Sequence, residues 1–332
     1  MLIGLWCNGN TADSGPAFPG SSPGSPTKSI DRLTGNPLRY PLICFFVHLM
    51  LDSSPSFRFI ELDEVVSTNT FLSGYHPLQP AEITLVSAEY QSAGRGQQGN
   101  SWESDRGQNL LFSLLLHPTF LPPTHLFLLS EAIALSICEA LRQFLSPTPS
   151  SADELQPTSL PEVTVKWPND IYVGNRKIAG ILIENELRGQ HIGRCIIGCG
   201  VNINQPTFHS DAPNPVSLCQ LVGNETTRSL VLDAIVTHFR RHYSSLRNYF
   251  STEVPTSAAS FIAEALPLHR SYLASLYRRT GFHPYLETES ATTFSAEIAD
   301  VEPCGHLLLR DDSGRLRRYA FKEVSYVLPP KP

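Results

Sequence analysis

The sequence predicts an α+β protein in two unequal parts, on three observations. Asn109 to His117 is a nearly continuous apolar strand, the composition of a strand covered on both faces of a sheet. Two long segments repeat apolar residues at helical spacing, one from Leu126 to Leu141 and one from Leu232 to Leu246. The last part of the chain changes to short strands, as in a small separate β-barrel. A length of 332 residues accommodates two such domains. The expected division is an N-terminal extension over 1–55, a main domain over 56–280 and the barrel over 284–329.

Taken in order, the extension is dominated by Gly, Pro, Ser, Asn and Thr from Asn8 to Pro37, without a helical or strand period, and is not expected to fold. The apolar run Leu42 to Leu51 is too short to span a bilayer. Met50 is the only methionine besides Met1, so the expected native start is at or near Met50. Phe57 to Leu62 then reads as a strand, with Ser67-Thr68-Asn69 as the cap of a helix beginning near Thr70. Ile83 to Tyr90 is a further strand. The apolar helix around Leu126 follows Pro122 and Pro123, and Ser146 to Pro161 is an exposed loop. Glu162 to Trp167 alternates as a strand, Pro168-Asn169-Asp170 forms a tight turn, and Lys177 opens the next strand. Lys177 to Leu187 and Ile192 to Asn204 read as an antiparallel hairpin, whose edge could pair in a homodimer. Helices are expected from about Thr227 to Phe250 and from Thr256 to Ser275. The barrel strands are expected at Phe294 to Ile298, His306 to Arg310 and Leu316 to Val327, with Asp312-Ser313-Gly314 as a hairpin turn.

Charge and cysteines exclude several classes. With 31 acidic and 25 basic residues the net charge is −6, which argues against a general nucleic-acid coat. The seven cysteines show no Cys-x-x-Cys pair and no spacing shared with histidines, so neither a disulfide framework nor a zinc site is expected, and a reducing cytoplasm is the default.

Two stretches carry candidate chemistry. Lys166 to Glu184 brings two lysines and Asp170 to strand ends, an arrangement suited to an anionic ligand such as a nucleotide triphosphate with magnesium; a solvated turn has the same composition. Gln91 to Trp102 holds Gly94, Gly96 and Gly99 with Arg95 between them, a loop whose backbone can approach a ligand while a guanidinium reaches a phosphate or carboxylate. It is not a Walker loop, and a hairpin without a ligand remains open. Downstream, Gly198 and Gly200 interrupt a strand that ends at Asn202, marking a close approach to the backbone.

In this order, Ser67-Thr68-Asn69, Gln91 to Trp102, Lys166 to Glu184 and Gly198 to Asn204 resemble the motifs of the biotin protein ligases, from about Phe57 to Leu328. The resemblance implies a catalytic domain related to class II aminoacyl-tRNA synthetases, with helices against a mixed sheet, and an SH3-like barrel. It implies formation of biotinyl-5′-AMP from biotin and ATP with Mg²⁺, then transfer of biotin to a lysine of a biotin carboxyl carrier domain. Ser67, Thr68, Asn69, Gln91, Gly94, Gly180 and Gly198 are implied at biotin, and Arg95 and Lys177 at both biotin and nucleotide. Gln97, Trp102, Lys166, Asn169, Asp170 and Asn202 are implied at the adenylate, with Arg95, Lys177 and Asp170 catalytic and Asp170 a metal ligand.

Two departures stand out. Gln97 replaces the second arginine of a Gly-Arg-Gly-Arg loop, and nothing before Phe57 offers the helices of a DNA-binding domain, so no DNA and no membrane partner is expected. The rival readings are a lipoate-protein ligase, a biotin sensor without ligase activity and a DNA-binding regulator.

Overall fold

The computed structural model describes residues 57–146, 162–189, 191–210, 214–252 and 266–328; the expected N-terminal extension with Met50, and nearly all of the Ser146 to Pro161 loop, lie outside them. The main domain is a seven-stranded mixed sheet. Its strands are β1 (Phe57–Val65), β2 (Ile83–Gln91), β3 (Leu110–Leu116), β4 (Val163–Lys166), β5 (Asp170–Val173), β6 (Arg176–Arg188) and β7 (His191–Val201), in the spatial order β1-β2-β3-β7-β6-β5-β4. Only β1 and β2 run parallel, joined through the short helix α1 (Thr68–Ser73). The remaining neighbours are antiparallel.

Strand β3 explains the continuous apolar run. Leu110, Phe112, Leu114 and Leu116 face the large core with Ile83 and Leu85, whereas Leu115 faces a smaller core with Leu72 of α1, Val86 and Ile196. Covered on both sides, the strand has no solvent face to mark with polar residues. The large core is closed by α2 (Phe127–Leu145) and α4 (Arg228–Thr252). The segment Pro123–Leu145, which includes α2, is long and apolar enough by composition to cross a membrane, but it is almost wholly buried inside the protein. A helix apolar all round is a core helix when its neighbours cover it. Two shorter helices are α3 (Leu218–Val222), which was not expected, and α5 (Pro267–Ala274); of the helix expected over Thr256 to Ser275, the residues before 266 lie outside those described, and Leu266 is extended, so α5 begins at Pro267.

Three expectations are corrected. The lysine stretch is three strands, not two: Lys166 closes β4, Asp170 opens β5, and Lys177 lies in β6 after a second turn at Gly174, φ +59°. The hairpin of β6 and β7 is interior along its first half, because β5 covers β6 as far as Gly180; beyond Gly180 only β7 pairs with it. Ser67-Thr68-Asn69 is not a side-chain cap. Thr68 and Asn69 are already helical, and the Ser67 side chain makes no cap bond.

The terminal unit is a five-stranded antiparallel sheet, order β11-β10-β9-β8-β12, built from β8 (His283–Glu287), β9 (Thr292–Val301), β10 (Leu307–Asp311), β11 (Leu316–Tyr319) and β12 (Val324–Tyr326). The sequence reading missed β8 and joined β11 to β12. Lys322, at φ +71°, stands in the turn that separates them.

A buried ion cluster ties the two parts together. His269 of α5 bonds Glu131 of α2 through Nδ1 at 2.8 Å and Asp300 of β9 through Nε2 at 3.3 Å. With both carboxyls ionised the imidazole serves the two as the cation, both ring nitrogens donating; burial pushes the Glu131 carboxyl up, and its hydrogen bond to His269 works against that shift. Burial opposes the imidazolium charge, but the hydrogen bonds to Asp300 and Glu131 outweigh it and lift His269 to about 9 from its ordinary 6.5. A raised pKa in the folded state contributes stability that is complete below pH 6.5 and is lost as pH rises through about 9. Accordingly, the wild-type thermal midpoint is expected to fall between pH 6.5 and 9. His269→Gln should lower the midpoint at pH 6.5 by at least about 3 °C and flatten that slope. An equal slope in the variant would sink the assignment.

Candidate active site

The cleft is assembled on one face of the sheet from residues far apart in the chain. At one end, the start of α1 presents Ser67, Thr68 and Asn69, all buried. Gln91, closing β2, accepts through Oε1 from the Thr68 backbone N–H at 2.7 Å and from its hydroxyl at 3.1 Å. Ser113 of β3 places its hydroxyl 2.6 Å from both Thr68 Oγ1 and Asn69 Oδ1. The side chains of this end are uncharged donors and acceptors bonded to one another, and charge enters only at its border, where the Glu184 carboxylate accepts from Asn69 Nδ2.

The other end is cationic. Lys177 Nζ lies 2.6 Å from Asp170 Oδ1, and Lys166 Nζ lies 3.6 Å from Asp170 Oδ2, so one carboxylate holds two ammonium groups. Lys166 also lies over the rings of Tyr172 and Tyr326, at 5.6 and 5.1 Å. Burial lowers its pKa, against the attraction of Asp170. Lys177 sits 5.7 Å from the Trp102 ring.

The glycine-rich loop closes over this cleft. Gly96 N–H donates to Asn100 O and Trp102 N–H to Gly94 O, making a short hairpin with Arg95 paired to Ser101. Trp102 points back onto the sheet where Gly180 and Gly200 leave room: a Cβ at Gly200 would lie 2.6 Å from the indole Nε1, and one at Gly180 2.9 Å from the ring. A Cβ at Gly198 would meet the Asn69 side chain, with Cγ at 2.9 Å. The strand glycines therefore admit two of the protein's own side chains.

The structure brings nearly all the expected residues around one space of about 280 Å³, walled also by Pro168, Phe321 and Lys322. Gly94 supports the loop through its backbone. Asn169 lines the space, but its amide nitrogen is spent on Ile181 O at 2.7 Å. Asn202 does not line it. It is buried behind the cleft, donating to Val216 O at 3.1 Å, while its Oδ1 has no partner.

Four contributors stood outside the expected set. Ser113 is the single polar residue in Leu110–Leu116, and that interruption was the available signal. Phe321 and Lys322 belong to the barrel stretch Arg317 to Glu323, whose three cations read equally as a contact to nucleotide or carrier and as a solvated strand edge; these two residues line the cleft. Glu184 stood at the end of the lysine stretch without a role; its Oε2 accepts from Asn69 Nδ2 at 2.8 Å and from Arg95 Nη2 at 3.1 Å. It thus ties the loop arginine to the neutral end. This pair is partly exposed, so its worth is in position more than in stability. Glu184→Gln is expected to leave the fold unchanged and free the loop, raising its hydrogen-exchange rate about tenfold. Unchanged exchange over residues 94–102 would show that Glu184 does not hold Arg95.

The model of the family described as biotin/lipoate A/B protein ligase matches residues 62–202, the segment that supplies the Gln91, Ser113, Lys166, Lys177 and Gly198 parts of the cleft. Residues 62–202 are a biotin/lipoate A/B protein ligase family domain. The chain is 29% identical over 177 residues to the bifunctional ligase/repressor BirA of Bacillus subtilis, covering 52% of this chain and 50% of that protein. The chain is also 28% identical over 236 residues to a biotin--[acetyl-CoA-carboxylase] ligase of Paracoccus denitrificans, covering 69% of this chain and 85% of that one. The chain spans about half the length of the first curated relatives it matches. Among solved structures, a biotin protein ligase from Aquifex aeolicus in complex with biotin and ATP superposes with a TM-score of 0.59 at 22% identity, over 82% of this chain and 99% of that one. At that identity the likeness establishes the ligase-family fold, mixed sheet with flanking helices and small terminal sheet.

Proposed function

We propose that this chain is a biotin protein ligase: it joins biotin to AMP from ATP, releases pyrophosphate, and transfers the biotinyl group to a lysine of a biotin carboxyl carrier domain. The observation that carries the reading is the polarity of the cleft. A neutral end of hydrogen-bonding groups at Ser67, Thr68, Asn69 and Gln91 suits a ureido ring, whose N–H and C=O groups need partners. It suits the apolar dithiolane of lipoate poorly, because buried polar groups left without partners cost binding energy. The cationic end, with Arg95, Lys166 and Lys177, suits a carboxylate meeting a phosphate.

In the first step a carboxylate oxygen of biotin attacks the α-phosphorus; the bond to the bridging oxygen breaks, and pyrophosphate leaves with the electron pair. Lys177 and Arg95 offset the repulsion of the two anions, and closure of the loop excludes water from the mixed anhydride. In the second, the neutral amine of the carrier lysine attacks the acyl carbon, AMP leaves, and the amine loses a proton. Asp170, already shared by two ammonium groups, serves to aim Lys177 and is poorly placed to take that proton. The reading of Asp170 as a magnesium ligand fits no better. It is the one carboxylate lining the cleft among the described residues, both its oxygens face lysines, and Mg²⁺ asks for several free oxygen donors. Mg²⁺ would arrive as the counter-ion of the nucleotide.

The test is exchange of labelled pyrophosphate into ATP by the full chain, with biotin, lipoate and octanoate as separate acids. Exchange with biotin alone is the expected result. Exchange with lipoate alone would transfer the reading to a lipoate ligase; exchange with none, by protein that binds biotin, would leave a biotin sensor.

A further inference from the structure

The turn between β9 and β10 carries Glu302, Cys304 and His306 at alternate positions, a spacing the cysteine arithmetic of the sequence passed over. The turn is closed at its base, with Glu302 N–H donating to His306 O and Gly305 N–H to Glu302 O, Gly305 being at φ +94°. Within it a carboxylate oxygen, Cys304 Sγ and His306 Nδ1 all lie within 4.8 Å of one another. Cys304 Sγ is 3.1 Å from Glu302 Oε2 and 3.0 Å from His306 Nδ1. The cluster is half-buried, and Cys304 and His306 line a groove of about 200 Å³ that adjoins the cleft and shares Gln97, Asn169 and Ile181 with it.

Arg318 of β11 shows where these groups aim. Its Nη2 stands 2.8 Å from Glu302 Oε2, 3.0 Å from His306 Nδ1 and 3.8 Å from Cys304 Sγ. A guanidinium only donates, so His306 Nδ1 is the accepting ring nitrogen and its lone pair faces the shared point. Carboxylate, imidazole and thiol therefore surround one position, and a positive charge already occupies it.

The geometry points to a divalent metal site of the zinc class at Glu302, Cys304 and His306, with Arg318 as the cation that fills the focus when no metal is bound. Sulfur and nitrogen donors select zinc-like ions over magnesium or calcium, which prefer oxygen throughout. Three protein ligands leave one coordination position for water or an exogenous group. On binding, the Sγ–H bond breaks, its proton passes to solvent, and the sulfur electron pair forms the metal bond, with no change of oxidation state. Arg318 swings outward. Its side chain is about half exposed (54%), so water can take up the guanidinium, but the pair it gives up is forked, with Nε 2.8 Å from Glu302 Oε1 and Nη2 2.8 Å from Oε2, and the metal has to outcompete it.

The experiment is titration of metal-free full chain with Co²⁺ under reducing conditions, followed by the thiolate-to-cobalt charge-transfer band and by competition with Zn²⁺. One equivalent with a thiolate band is expected, absent in Cys304→Ser and weakened about 10-fold or more in His306→Ala. Arg318→Ala should tighten binding, since it removes the competing cation; thermal melts of each variant establish that the fold is intact. The site is overturned by no band in the wild type, by a band that persists in Cys304→Ser, or by an affinity that Arg318→Ala leaves unchanged or weakens. Loss of pyrophosphate exchange is not a readout here, so this result stands or falls apart from the ligase reading.

Discussion

Lys177→Met is expected to reduce biotin-dependent pyrophosphate exchange by about 10²- to 10³-fold, the range seen when one preorganised donor to a developing charge is removed. Methionine keeps the stem that runs beside Gly180 and Trp102, so packing at the floor of the cleft is retained. What disappears is the ammonium group held by Asp170. Lys166 remains on the other carboxylate oxygen at 3.6 Å, so Asp170 is not stranded without a counter-charge. Biotin binding should fall far less than turnover, because the neutral end is untouched. A loss of turnover under tenfold, in protein with an unaltered melt, would remove Lys177 from the chemistry.

Gly200→Ala is the second large effect. The new methyl group would lie 2.6 and 2.7 Å from Nε1 and Cζ2 of Trp102, and a planar indole wedged between Gly180 and Gly200 cannot yield by rotating its tip. Overpacking of this kind costs about 1–3 kcal/mol when it is absorbed in the fold. Here the cheaper relaxation is to lift Trp102 and the loop it anchors at Gly94. The expected kinetic signature is a KM for ATP raised about tenfold, equivalent to about 1.4 kcal/mol, with the KM for biotin changed less. Gly74→Ala is the control, since its nearest contact would be an ordinary 3.8 Å. An unchanged KM for ATP in Gly200→Ala would show that the indole does not shape the nucleotide end.

Much of this site was legible because its parts are local. Pro168-Asn169-Asp170 between two lysines, and glycines around an arginine, are patterns within a few residues. The apolar spacing of α2 and α4 was equally local and placed both helices. What escaped was set by pairing at long range. Ser113 reads as a polar accident in an apolar strand until β3 lies beneath α1, and Glu184 becomes a tether only when Arg95, 89 positions earlier, folds back over it. Strand β8, with Pro284 inside it and only Tyr285 fully buried, has too little alternation to announce itself. Asn202 was misplaced for a related reason. An asparagine leaving a glycine-rich strand can face ligand or neighbouring chain, and here its amide is bound to Val216 O.

Trp167 sits immediately before the Pro168-Asn169 wall of the cleft, yet its own indole is buried against the terminal unit, donating to Gly305 O at 3.1 Å and meeting the Phe321 ring edge-on. The small barrel is thus no detachable appendage. Truncation near residue 280 would leave a tryptophan bare on the back of its own substrate wall, and exchanging the barrel for that of a relative would retune the cleft from behind. A change at Gly305 or Phe321 is therefore felt at Pro168 and Asn169 through the indole between them.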